Sequence, residues 1–217
     1  MKSLSILIPI YNEEESLQAL FDELKSSFEN NQSVEIIFIN DGSSDMSQKV
    51  IENEIANHST WKLINLYRNY GKSVALQSGI DIASNELIAT LDGDLQDDPK
   101  ELISLVRELN EDDVIVGWKK DRLDPLEKKI ASKIFNFFIK LFSGLKIKDS
   151  NSGIKVLKKE VAKSLNLYGG RHRYIPLLAH QKGFNVKEIP VNHRERKFGK
   201  SKYGCLLYTS PSPRDRE

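Results

Sequence analysis

The sequence predicts an α/β fold with a mostly parallel central sheet and helices on both faces. Three observations carry that expectation. Strand-like and helix-like segments alternate through the first half of the 217 residues. Polar, turn-forming residues follow the apolar runs directly, as repeated β-α units require. The length is enough for one substantial core, or at most two small ones.

The elements follow in order. Residues 4–10 and 34–40 are β-branched-rich apolar runs, and 62–66, 86–91 and 113–118 resemble them. Helical patterns lie between, near 13–29, 45–57, 72–83 and 99–110. Glu13-Glu14-Glu15-Ser16 and Asp98-Pro99 are helix-start signals, because acidic residues suit the first turn and proline suits its first position. The second half differs. A long helical pattern covers 125–147, a short strand 154–157, a helix 172–182 and a strand 184–191.

Composition narrows the function classes. Charged residues make up 29% and apolar ones 39%, ordinary for a soluble globular domain. A formal net charge of +1 excludes a globally basic nucleic-acid binder, so any attraction to anions is local. The single cysteine, Cys205, permits no intrachain disulfide and points to a reducing, cytosolic setting. No stretch of 18 apolar residues occurs, and the run from Leu4 to Pro9 is too short for a signal peptide. Residues 205–217 show no periodicity and read as a non-native or disordered tail. The native sequence is expected to end near Gly204, as a truncated copy of something longer.

Ligands of parallel sheets bind beyond the carboxyl ends of the strands, and the informative residues sit there. Asp92-Gly93-Asp94 follows the fourth strand. Residues i and i+2 of an extended segment point the same way, so the two carboxylates repel unless a cation lies between them. Mg²⁺ or Mn²⁺ held by one or two carboxylates keeps positions open for a diphosphate. A solvated acidic turn is the alternative. Pro9-Ile10-Tyr11-Asn12-Glu13 leaves the first strand and opens a helix, whose free N–H groups suit a nucleotide or simply a capping turn. In Asn40-Asp41-Gly42-Ser43-Ser44-Asp45, Asp41 can accept from a uracil or guanine ring N–H, or act as an N-cap. Arg68-Asn69-Tyr70-Gly71-Lys72 brings Lys72 toward a phosphate or the acidic pair, with a solvated face as the alternative.

Asp149, in the turn Asp149-Ser150-Asn151-Ser152-Gly153, is either a turn former or a base or charge stabiliser for a departing sugar. A basic stretch runs from His193 to Tyr203 and holds Arg194, Arg196, Lys197, Lys200, Ser201 and Lys202. It suits a pyrophosphate or a lipid phosphate, with an RNA-binding arm as the competing reading. The 125–147 pattern places Leu126, Ile130, Ile134, Phe137, Phe138, Leu141, Phe142 and Leu145 at steps of three and four, flanked by lysines. Such a helix fits an anionic membrane surface or a protein core.

In this order and spacing the motifs P-x-Y-N-E, N-D-G-S-x-D, R-N-x-G-K, D-G-D-L-Q-D-D-P, D-x-x-S-G and H-R-x-R-x-x-G-K-S-K-Y-G resemble the inverting family-2 glycosyltransferases of the GT-A fold. Within that family the likeness is to the polyprenyl-phosphate glycosyltransferases, the group that includes dolichol-phosphate mannose synthase, over roughly residues 3–204. The resemblance implies a GT-A catalytic domain over 1–204. It implies that Asp41 contacts the base of a UDP- or GDP-sugar, with Pro9, Tyr11 and Glu13 lining the nucleotide pocket and Lys72 near the donor. It implies that Asp92, Asp94 and Gln96 hold Mg²⁺ or Mn²⁺ and the diphosphate, and that Asp149 is catalytic with Asp94. Arg194, Arg196, Ser201 and Lys202 would hold acceptor phosphate. The expected partners are a nucleotide sugar and a polyprenyl phosphate at the cytoplasmic face of a membrane, with no nucleic acid; a homo-oligomer stays open. Transfer to a soluble or polysaccharide acceptor, or a non-catalytic nucleotide-sugar-binding subunit, are the other function classes.

Overall fold

The structure, a computed structural model, describes residues 2–28, 31–119, 144–145, 147–192 and 194. The expected alternation is there: β1 (Leu4–Ile10), α1 (Glu14–Phe28), β2 (Val34–Asn40), α2 (Ser47–Ile55), β3 (Trp61–Asn65), α3 (Lys72–Ile82), β4 (Leu87–Thr90), α4 (Pro99–Glu108) and β5 (Val114–Lys119). After residues 120–143 come β6 (Lys155–Lys158), α5 (Lys159–Ser164), a 3₁₀ turn (Arg171–Tyr174), α6 (Ile175–Gln181) and β7 (Val186–Val191). The predicted helix at 172–182 is thus two pieces. Pro176 in the first turn of α6 lacks the N–H that would continue one helix through the preceding residues.

The seven strands form one sheet in the order β3-β2-β1-β4-β6-β5-β7. All pairs are parallel except those of β6, which runs antiparallel between β4 and β5. Strand alternation divides the core. Leu4, Ile6, Ile8 and Ile10 of β1 face one layer with α1 and α4; Leu7 faces the other with α3, α5 and α6. Helices therefore cover both faces of a mostly parallel sheet, as expected.

One expectation is corrected. The described end of the segment read as a helix over 125–147, namely Gly144, Leu145 and Ile147, is not helical. Gly144 has φ +73°, which stops a right-handed helix. Leu145 and Ile147 are buried against Leu177 and Val186 instead of presenting a face to lipid. The rest of that segment, together with Arg196, Ser201, Lys202 and the 205–217 tail, lies outside the described residues.

The topology decides which residues meet. β1, β2, β4, β5 and β7 all end at one edge of the sheet, and antiparallel β6 begins there. Lys155, its first residue, lies between Thr90 of β4 and Val116 of β5. Lys119 ends β5 opposite Val191 of β7.

Candidate active site

The loops after β1, β2 and β3 form one side of this edge, and polar side chains tie them together. Asn12, at φ +54°, accepts the Ser44 N–H through Oδ1 at 2.7 Å, and its own N–H donates to Ser43 Oγ at 2.9 Å. The Glu13 N–H donates to Ser47 Oγ at 3.0 Å. Pro9, Tyr11 and Glu13 are all partly exposed along this loop. Gly42, at φ +66°, lies so close to the next loop that a Cβ there would sit 2.3 Å from the Arg68 carbonyl carbon.

That approach brings Asp41 under the Arg68–Gly71 loop. The Tyr70 N–H donates to Asp41 Oδ1 at 2.8 Å and the Gly71 N–H to Oδ2 at 2.9 Å. Asp41 is only 4% exposed. Burial pushes its carboxyl up, and the two N–H groups draw it only part of the way back. Its two oxygens hold the loop that delivers Lys72, and each keeps a lone pair for a further donor.

Lys72, at the start of α3, donates to Asp92 Oδ1. Burial would raise the Asp92 pKa, but the charges of Lys72, then Lys119 and Lys155, hold it down to about 2. Asp94 follows and accepts the Gln96 N–H at 3.2 Å. Asp92, Asp94 and Gln96 are all partly exposed on the loop that follows β4. Among the described residues no three His, Cys, Asp or Glu side chains form a cage. The donor set, two carboxylates and an amide side chain on a partly exposed loop, is of the oxygen type that suits a hard divalent cation.

Sequence reasoning missed the buried cations beside this pair. Lys119 Nζ lies 2.7 Å from Asp97 Oδ1, and both residues are buried. Burial alone would lower the Lys119 ammonium, but Asp97, then Asp92 and Asp149, more than reverse it. Lys155, 3% exposed, donates to the Ser152 carbonyl. Burial and the nearby Lys72 bring its pKa down to about 8. His172 also belongs here, with Nδ1 2.9 Å from Ser73 Oγ. Burial, Lys72, Arg173 and Lys155 hold it well below the usual histidine range, hence neutral near pH 7. No local signal marks Lys155, since β6 carries a lysine at each end and only the first is buried.

Gly153 closes the site from below. A Cβ there would meet Asp92 Oδ2 at 2.5 Å and Asp97 Oδ2 at 2.8 Å, so only glycine lets both carboxylates pack on this turn. Thr90 Oγ1 donates to the Gly153 carbonyl at 2.6 Å and fixes it to β4. Asp149, four residues earlier, is 2% exposed and near enough to raise both Lys119 and Lys155. The turn thus joins Asp149 to the same cluster.

Arg194 reaches the edge in another way. Its N–H donates to the Gln96 carbonyl at 3.0 Å, and its guanidinium pairs with Glu23, at 2.7 Å, and with Asp98. Asp98 also caps α4 through the Lys100 N–H. In this structure Arg194 braces the loop that carries Asp92 and Asp94.

The profile of Glycosyl transferase family 2 matches residues 5–165. Two curated relatives are each 36% identical: dodecaprenyl-phosphate galacturonate synthase of Rhizobium johnstonii, over 93% of this chain and 62% of its own length, and undecaprenyl-phosphate 4-deoxy-4-formamido-L-arabinose transferase of Yersinia pestis, over 95% and 64%. The chain therefore spans less than two thirds of the relatives it matches. Among solved structures it is similar to a mannosyltransferase from Pyrobaculum calidifontis in complex with GDP-Man and Mn²⁺, with TM-score 0.69 and 14% identity over 90% of this chain and 57% of that one. A glucosyl-3-phosphoglycerate synthase from Mycobacterium tuberculosis, in complex with Mn²⁺, UDP-glucose and phosphoglyceric acid, gives TM-score 0.68 and 14% identity over 90% and 72%. At that identity the two structures establish the GT-A fold alone.

Proposed function

We propose, from the premise that this chain belongs to glycosyl transferase family 2, that it moves a sugar from a nucleoside diphosphate to a polyprenyl phosphate with inversion. The observation that carries the reading is the gathering of Asp92, Lys72, Lys119, Lys155 and Asp149 at the carboxyl edge of the sheet, with Asp94 two residues beyond Asp92 on the same loop. Carboxylates and amines interleaved at an open edge suit a diphosphate and its counter-cation. The acceptor is supported by the two relatives whose names specify a polyprenyl phosphate.

The reaction is a single displacement. A phosphate oxygen of the acceptor attacks the anomeric carbon, the bond to the diphosphate oxygen breaks, and its electron pair leaves with the nucleoside diphosphate. A phosphate monoester has a second pKa of about 6 and is largely ionised near neutrality, so little deprotonation is needed. Asp149 then orients the acceptor or stabilises positive charge on the sugar. Asp41 accepts from the base, and Pro9, Tyr11 and Glu13 line the nucleotide pocket. Lys72 exchanges Asp92 for a donor phosphate. Asp92, Asp94 and Gln96 would hold Mg²⁺ or Mn²⁺, which offsets charge on the leaving diphosphate. Arg196, Ser201 and Lys202 complete the reading as acceptor-phosphate contacts. A polyprenyl acceptor sets the reaction at a membrane surface.

The test has two stages. UDP- and GDP-sugars are screened by thermal shift with Mn²⁺ present, since a ligand that binds only the native state raises the melting temperature. The best donor, radiolabelled, is then offered undecaprenyl phosphate or an oligosaccharide. Label in the lipid fraction is the expected result; label in the oligosaccharide alone would overturn the acceptor assignment.

A further inference from the structure

We propose that Glu188 of β7 is a positioning residue for the transfer, clamping the turn that carries Asp149. The inference rests on the reading of Asp149 given above. Glu188 Oε1 accepts the Asp149 N–H at 2.7 Å and the Lys148 N–H at 2.9 Å, and Oε2 shares the Lys148 N–H at 3.0 Å. All three bonds go to two consecutive backbone amides. A charged acceptor makes such bonds roughly twice as strong as a neutral one.

The clamp has a direction. Pinning the amides of residues 148 and 149 fixes the peptide plane between them and therefore the position of the Asp149 Cα, which lies in that plane. The far end of the turn is fixed separately, by Thr90 Oγ1 on the Gly153 carbonyl at 2.6 Å. Asp149 thus stands on a turn held at one end from β7 and at the other from β4, across two intervening strands. Lys148 is held outward, its ammonium 3.7 Å from the centre of the Trp118 ring.

A carboxylate at this position is otherwise unfavourable. Burial raises the Glu188 carboxyl, and the charge of Asp149 beside it acts in the same direction. An apolar side chain would avoid both penalties but would leave the Asp149 and Lys148 amides to find other acceptors. Glu188 is in register with Val116 on the sheet's last pair of strands, away from the nucleotide loops. Among the described residues its hydrogen bonds go to the Asp149 turn.

The experiment compares Glu188→Ala, Glu188→Gln, Asp149→Asn and the double variant Glu188→Ala/Asp149→Asn in the full chain. The substrates are undecaprenyl phosphate and the donor selected by thermal shift. Displacing a catalytic group by an ångström costs about 10²-fold, so Glu188→Ala should lose kcat on that order while KM for the donor stays within about twofold. A glutamine oxygen placed at Oε1 keeps both Oε1 bonds, so Glu188→Gln should recover most of the loss. Adding Glu188→Ala to Asp149→Asn should cost less than about twofold more, because residues that act as a unit are not additive. Amide hydrogen exchange gives a readout independent of turnover: in Glu188→Ala, protection should fall at residues 148 and 149 and not in β1 or β2. Wild-type turnover in Glu188→Ala, full additivity, or unchanged protection at 148 and 149 would each overturn the clamp. Full activity in Asp149→Asn, with protection still lost in Glu188→Ala, would instead remove the catalytic reading of Asp149.

Discussion

Two carboxylates at opposite ends of the same sheet, Asp92 and Glu35, are each held at a pKa of about 2, and each is paired with a lysine. Their surroundings differ in kind. Glu35, near the amino end of β2, accepts from Ser5 Oγ at 2.5 Å, the Ser84 N–H at 2.7 Å, Ser84 Oγ at 2.8 Å and Lys62 Nζ at 2.6 Å. Three of those donors are short groups on β1 or on the loop entering β4, and the fourth is the long Lys62 side chain of β3. Asp92 takes its hydrogen bond from Lys72, and its remaining stabilisation comes from the charges of Lys119 and Lys155. A network of short donors on rigid backbone locks the chain. An amine on a four-carbon stem can leave one anion for another. The first arrangement holds the loop between α3 and β4 in place; the second suits a site that exchanges ligands.

The largest effect that sharpens this contrast is on turnover. Asp94→Ala removes a part-exposed carboxylate at the carboxyl edge of the sheet. By analogy with removing one oxyanion donor, kcat should fall by about 10²–10³-fold. The urea midpoint should stay near wild type, since few packed atoms are lost. Turnover within threefold of wild type, assayed with Mn²⁺ and the selected donor, would remove the metal role from this pair.

The next effect is on stability, at the other end of the sheet. The folded-state pKa of Glu35 is depressed from 4.5 to about 2. The stability it contributes is therefore complete above pH 4.5 and is lost as pH falls toward 2. Allowing for a half-exposed Lys62, Glu35→Gln should cost about 2 kcal/mol near neutral pH, or roughly 30-fold in the folding equilibrium. The gap from wild type should shrink by about half at pH 3, and turnover per folded molecule should not change. Urea midpoints followed from pH 7 to pH 3 check this. A gap that is flat with pH would mean that packing, and not the charge, stabilises the site.

The same contrast explains what could be read from the sequence. Strands 4–10 and 34–40 were legible to the residue because they are apolar runs interrupted only by Ser5 in the first and by Glu35 and Asn40 in the second, and both are buried along almost their whole length. The Asp92-Gly93-Asp94 turn was legible because its residues follow a strand directly. Lys119, Lys155 and Asp97 were not, because charged residues are ordinarily exposed and nothing local marks these three as buried. They meet only because β6 inserts antiparallel between β4 and β5. That pairing depends on long-range contacts that no local pattern encodes. Asp41 was legible as a strand-end carboxylate, but its bonds to Tyr70 and Gly71 depend on a loop thirty residues away. The same reasoning overextended the 125–147 helix, because a periodic apolar pattern carries no information about where Leu145 and Ile147 pack.

The smallest effect separates the two lysines. The Lys62 side chain is 45% exposed, so removing it returns an ammonium that was already half solvated. Lys62→Met leaves Glu35 with both Ser84 donors and Ser5, and should cost under about 1 kcal/mol, the range of exposed pairs. Turnover should be untouched. The cost of Lys62→Met, measured by urea denaturation at pH 7, should fall well below that of Glu35→Gln. Equal costs would mean that the ion pair, and not the hydroxyl and backbone donors, holds the amino end of the sheet. The two ends would then differ in the exposure of their lysines and not in the way their carboxylates are held.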